Sequence, residues 1–265
     1  KLLSKIDPNQ KSTQKRIIPV VVHVIHDFGS ENVTDAQVSA AIETLNRNIN
    51  GQDAKFVSRT PDVFAAVVGR PHLEFRLATK DPSGNPTSGI NRIQSELTVV
   101  TEPRDQIKTL SYWNSYQYLN IWLVKALPAT TGGVIVGYAQ FPYGGSMSTD
   151  GVVCNAAQFA NTASTTLTHE VGHWLGLRHT WGDALCGDDQ VADTPPQRYS
   201  NGVGDNPGPL PTTNSFPYHV GLQNQGCIAD SLNWAGEMFM NYMDYTNDQY
   251  AVSYTHLRAH ETSQH

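Results

Sequence analysis

No stretch of this chain approaches the ~20 consecutive apolar residues of a membrane-spanning helix. Positive charge is also in short supply. Against 24 Asp and Glu there are only 18 Lys and Arg, a net charge of -6, which argues against nucleic acid or an anionic membrane as the main partner. Cysteine is scarce, and a count of 3 leaves one thiol over after any pairing. The sequence begins at Lys1 with neither an initiator Met nor a signal-peptide pattern, so a processed or trimmed form is expected. Its 265 residues are nevertheless ample for one large domain with a full core. Gly 21 and Pro 15 point to extended loops around a regular scaffold.

What the chain does hold is His169-Glu170-Val171-Gly172-His173-Trp174-Leu175-Gly176-Leu177-Arg178-His179. Histidines four apart on a helix project from one face and can share one metal ion. Leu167, Val171 and Leu175, also spaced by four, mark the face that buries. Gly176 is free to take positive φ, end the helix and turn the chain back, which would deliver His179 as a third ligand. Three imidazoles with an open fourth position suit a catalytic zinc, whereas structural zinc is usually closed by four protein ligands. Glu170 is angled off the metal toward a metal-bound water, the place of a general base. Chance gives the short pattern roughly once in a hundred such chains and the extended one roughly once in thirty thousand, so coincidence is set aside.

The extended motif is the metzincin signature when a methionine turn follows, and Asn241-Tyr242-Met243-Asp244-Tyr245 lies downstream. Together these residues resemble the pappalysin family of metzincin zinc metallopeptidases, in particular its microbial, ulilysin-like branch. Ile18 to His26, Leu119-Asn120-Ile121-Trp122 and Gly187 to Pro195 resemble that branch's early strands and its calcium loop, so the likeness spans about residues 17–252. The resemblance implies an α/β (α+β) metzincin-type zincin. Its upper subdomain, 17–179, would be a twisted mixed sheet with helices, and its lower subdomain, 180–252, would be rich in loops. It implies a secreted, monomeric endopeptidase acting on protein or peptide substrates. Met243 would be an apolar floor under the zinc, and Tyr245 a phenol able to ligate zinc or hydrogen-bond the tetrahedral intermediate. Cys186 and Cys227 match family positions that are bridged, and a cross-link of that size would stabilise by about 4 kcal/mol. The calcium loop implies a Ca2+ ion on Asp189 with the Val191 and Thr194 carbonyls. On residue types alone, the same Asp-rich turn also fits a solvated Asx-turn.

Along the chain, residues 1–16 are polar and read as a flexible lead or pro-segment remnant. Ile17 to Ile25 predicts a strand buried on both faces. His23 and His26 are expected to be structural. Thr34-Asp35-Ala36-Gln37 has capping-box form, with Val38, Ile42, Leu45 and Ile49 continuing at helical spacing. Leu73, Phe75 and Leu77 alternate as a second strand, and Tyr118 to Leu127 reads as another. Arg104 to Tyr116 is expected to be helical, with Trp113 and Tyr116 in the core. Gly151-Val152-Val153-Cys154 predicts a short strand; the resemblance makes it the sheet edge on which substrate pairs as an added strand. Cys154 fits there as a small buried hydrophobe. Residues 253–265 resemble a translated cloning adapter, which should be excluded from fold reasoning.

Two other function classes fit parts of the pattern. A non-catalytic binding module with structural zinc predicts loss of the base or a fourth protein ligand, against Glu170 and three histidines. A zinc amidase for a small substrate predicts a closed pocket in place of an open groove.

Overall fold

The apolar run near the N-terminus forms β1 (Arg16–His26), buried from Val20 onward, while Ile17 remains 50% exposed. In the computed structural model the described residues are 15–65, 67–129, 134–191, 193–197, 200–201 and 237–246. β1 runs through a six-stranded mixed sheet. On one side its first half pairs in parallel with β2 (Leu73–Leu77) and its second half with β3 (Ile90–Gln94). On the other side lies β4 (Leu119–Val124), also parallel, with Val22 opposite Ile121. A small antiparallel pair, β5 (Leu127–Pro128) with β6 (Val134–Ile135), leads into β7 (Gly137–Ala139). The sheet then runs from β4 to β8 (Val152–Asn155), parallel, and from β8 to β7, antiparallel.

This order corrects one expectation. β8 is not the edge strand, because β4 and β7 pair with it on both sides, and Val152, Val153 and Cys154 are buried. The antiparallel edge is β7, whose pairings among the described residues are all with β8.

Helix α1 (Asp35–Ile49) carries the predicted capping box: the Gln37 amide donates to Thr34 Oγ1 and the Thr34 amide to Gln37 Oε1. Its apolar stripe, Val38, Ile42, Leu45 and Ile49, packs on Val20, Val22 and Val24 of β1 and on Leu119, Ile121 and Leu123 of β4. Each such branched side chain, once fully buried, contributes about 1.5–3 kcal/mol. The Asn46 side chain bonds both the amide and the carbonyl of Phe75, fixing α1 against β2. The short helices α2 (Ala54–Arg59) and α3 (Asp62–Ala65) follow, and Phe56 and Phe64 form a separate cluster with Met238, Phe239 and Met240. Across the sheet, Ile25, Trp122, Val124 and Val153 pack with Val100, Ile107 and Leu127.

The segment from Arg104 departs from expectation. It is a 3-10 helix that ends at Leu110, and Tyr116 is 80% exposed instead of lying in the core. Side chains take the backbone groups that a continued helix would use. The Asn120 side chain accepts from the Trp113 amide and donates to the Trp113 carbonyl, while the Trp122 indole donates to the Ser111 carbonyl.

His23 lies inside that network. It bonds Asn120 Oδ1 at 3.0 Å and Ser111 Oγ at 2.9 Å and stacks on Trp122, so its role is structural, as expected. Among the described residues no helix is long and apolar enough to cross a membrane.

Candidate active site

After β8 the chain passes through α4 (Ala156–Ala160) into α5 (Thr166–Trp174). Leu167, Val171 and Leu175 bury in the main core, as their spacing requires. The buried bond from Asn48 Nδ2 to Thr168 Oγ1 ties the start of α5 to α1. At its end, Gly176 takes φ 91°, and two bonds close the terminus: Gly176 N–H to the His173 carbonyl and Leu177 N–H to the Gly172 carbonyl. This is a Schellman motif, in which a left-handed residue satisfies the last helical carbonyls and reverses the chain. His179 is thereby returned to the face that carries His169 and His173.

One ring nitrogen from each of these three histidines lies within 4.8 Å of the other two. His179 Nε2 is 3.2 Å from His169 Nε2 and 3.1 Å from His173 Nε2. The opposite nitrogens all face oxygen. His169 Nδ1 is 2.7 Å from the Tyr242 carbonyl, His173 Nδ1 is 2.7 Å from the Leu177 carbonyl, and His179 Nδ1 meets the Asp183 carboxylate. A carbonyl or carboxylate only accepts, so each Nδ1 carries the proton and each Nε2 presents a lone pair. Three converging lone pairs cannot hydrogen-bond one another and repel unless a cation lies between them. Tetrahedral zinc with Zn–N bonds of ~2.0–2.1 Å requires nitrogens about 3.3 Å apart, so the donor set fits zinc in both chemistry and spacing.

Burial lowers the pKa of all three rings, that of His173 to about 4, which keeps them in the neutral form that ligates. Burial acts in the opposite sense on Glu170, whose carboxyl is pushed up to about 8. It is the carboxylate between the first two histidines in sequence, and it lies against β7.

Met243 is fully buried, in the same core cluster as Val171 and Leu177. Its turn is braced by the Asn241 side chain, which accepts from the Met243 amide. Tyr245 is 44% exposed, with its ring 4.7 Å from that of His179 and 5.4 Å from that of His169.

Two neighbours were not foreseen. Trp181 stacks on His179 at 4.4 Å, nearly parallel, and Asp183 holds the outer nitrogen of the same ring. An acidic residue four positions after a ligand histidine was the available signal for Asp183. Trp181 offered none.

Asp189, Val191 and Thr194 are all buried in one turn, where the Val191 amide donates to Asp189 Oδ1 and the Thr194 amide to the Val191 carbonyl. Burial pushes the Asp189 carboxyl up to about 7. Cys154 is a free, buried thiol, and Cys186 is disulfide-bonded. Cys227 lies outside the described residues, as do the stretch 253–265 and most of the lead 1–16.

Comparison with known proteins agrees with this geometry. The family model described as pregnancy-associated plasma protein-A matches residues 102–259, a span that runs into the stretch expected to be foreign. Mature mirolysin of Tannerella forsythia, solved in complex with a cleaved peptide, superposes with a TM-score of 0.74 at 34% identity, covering 94% of this chain and 91% of that one. An extracellular metalloprotease of Verticillium alfalfae is 29% identical over 237 residues, 84% of this chain and 65% of its own length. One from Arthroderma otae is 27% identical over 192 residues, 68% of this chain and 59% of its own. The chain thus spans roughly three fifths of the length of these two curated relatives.

Proposed function

The chain belongs to the pappalysin family of metallopeptidases, and from that premise we propose that it is a zinc-dependent endopeptidase with Glu170 as general base. One observation carries the reading: three Nε2 lone pairs converge on one point, and a desolvated carboxylate follows the first of them in sequence. When bound there, zinc would lower the pKa of a water toward ~7 and polarise a peptide carbonyl.

The chain's own residues account for the rest. His169, His173 and His179 hold the ion, oriented by the Tyr242 and Leu177 carbonyls and by Asp183. Glu170 takes a proton from the attacking water and returns it to the leaving amine. The Tyr245 hydroxyl, on a ring packed against two of the ligands, supplies a donor for the developing oxyanion. A peptide substrate adds as a strand to β7, where backbone groups give affinity without sequence preference. Mature mirolysin was solved in complex with a cleaved peptide, which supports a peptide substrate here.

The same reading assigns a structural Ca2+ to Asp189 with the Val191 and Thr194 carbonyls, and a bridge between Cys186 and Cys227. Both suit secretion, and the relatives named as extracellular support that compartment.

The test is Glu170→Ala. About one zinc per chain should be retained while cleavage of a denatured protein substrate falls by several orders of magnitude. Substantial residual cleavage in a clean preparation would overturn the assignment.

A further inference from the structure

We propose that Gly137 is a positioning residue for the general base: the lack of a side chain at position 137 lets the Glu170 carboxylate lie against the edge strand. The proposal rests on the reading of Glu170 as the base. A Cβ built on Gly137 would stand 2.7 Å from Glu170 Cγ, 2.8 Å from Oε1 and 3.0 Å from Cδ. Real Cβ atoms do not approach other atoms this closely. Its three nearest neighbours all belong to one side chain, that of Glu170.

Backbone conformation gives no alternative reason for a glycine here. Gly137 has no positive φ, unlike Gly151 or Gly176, and it pairs in regular antiparallel register with Cys154. An alanine would sit in that strand without strain, and in a strand it is ordinarily a better residue than glycine.

Neither backbone is free to retreat. On the strand side, Tyr138 and Ala139 pair with Val153 and Val152, the Asn155 amide bonds the Val136 carbonyl, and the Tyr138 hydroxyl bonds the Arg104 carbonyl. On the helix side, α5 is held by Asn48 at its start, by the Met243 turn through His169, and by the bond from the Trp174 indole to Asp150. The group that yields is therefore the carboxylate. A new methyl drives Glu170 off its present rotamer. The edge strand thus has two duties that meet at one residue: it offers backbone to a peptide, and it fixes the proton acceptor beside that peptide.

The experiment is Gly137→Ala in the zinc-loaded full chain. Zinc content should stay at about one per chain and KM should change little, while kcat falls about 10- to 100-fold, as for a reacting group misplaced by about 1 Å. The second readout is thermal. Gly137→Ala should lower Tm in the wild-type background but leave or raise it in the Glu170→Ala background, where the clash is gone. If the single variant does not fold, a folded double variant supports the proposal and an unfolded one overturns it. Unchanged kcat, or the same drop in Tm in both backgrounds, also overturns it. Failure of the underlying reading looks different, because Glu170→Ala itself would then retain cleavage.

Discussion

Gly172, on the helix that carries His169 and His173, touches Met243 so closely that a Cβ on it would lie 2.3 Å from Met243 Sδ. The helix that carries His169 and His173 and the turn that carries Met243 are therefore seated on each other through one missing side chain. The same turn holds His169 through the Tyr242 carbonyl and meets Thr180, whose amide is 3.3 Å from the Met243 carbonyl. The methionine thus limits how closely α5 approaches this turn.

Gly172→Ala tests that seating. In an ordinary helix interior the change would gain up to about 1 kcal/mol. Here the methyl overpacks a buried contact, at a cost of about 1–3 kcal/mol, so a net loss of stability is expected. Urea denaturation measures it. Gly172→Ala with Met243→Ala should lose less than the two single variants summed.

Asp183 holds the His179 ring from a largely exposed position. Removing such an outer partner typically lowers metal affinity 10- to 100-fold. Exposure puts Asp183→Ala toward the lower end of that range. Chelator competition should show weaker zinc retention, while kcat at saturating zinc stays close to wild type. Affinity equal to wild type would mean that water replaces the carboxylate at no cost.

How much of this was legible in the sequence depends on the range of the forces involved. The ligand helix, its glycine stop and the capping box of α1 were readable because each is set by neighbours within five residues. β1 was readable because a central parallel strand is apolar throughout. The edge strand was misplaced. β7 is only Gly137–Ala139, too short for any period, and its identity depends on pairing with β8 in another part of the chain. The helix predicted beyond Leu110 failed for a related reason: Asn120, seven residues past Trp113, captures that residue's backbone. At the site, the ligands announced themselves by spacing. Gly137 did not, since its importance comes from Glu170, which approaches it from α5.

The Tyr245 ring packs on His169 and His179, yet much of it is open to solvent. Tyr245→Phe keeps the ring contacts with His169, His179 and Trp181 and removes only the hydroxyl. A kcat loss of about 10- to 1000-fold is expected, with Tm nearly unchanged, as for removal of one positioned donor. Steady-state kinetics and a thermal melt on the same preparation separate this role from packing, which would move Tm instead.

His23 makes the fold sensitive to acid away from the metal site. Burial pushes its pKa down to about 4 from an ordinary 6.5, partly offset by the bond to Asn120. The groups packed on it are neutral: Asn120, Ser111, Trp113 and Trp122, with the Lys108 ammonium beyond, 5.5 Å over the Trp122 ring. The unfolded chain takes up a proton near pH 6.5, whereas the folded chain does so only near pH 4. Between those values the unfolded state binds more protons, so stability falls as pH falls. It is unaffected by this group above the window and loses nothing further below it. The full difference is about 3 kcal/mol. Burial lowers the pKa of the three clustered histidines as well, so wild type alone would not isolate the effect. His23→Gln cannot protonate but retains an amide donor for Asn120. It should be less stable at pH 7.5, and its denaturation midpoint should fall less steeply than that of wild type between pH 6.5 and pH 4. Parallel curves for the two proteins would place the acid sensitivity elsewhere and return His23 to packing alone.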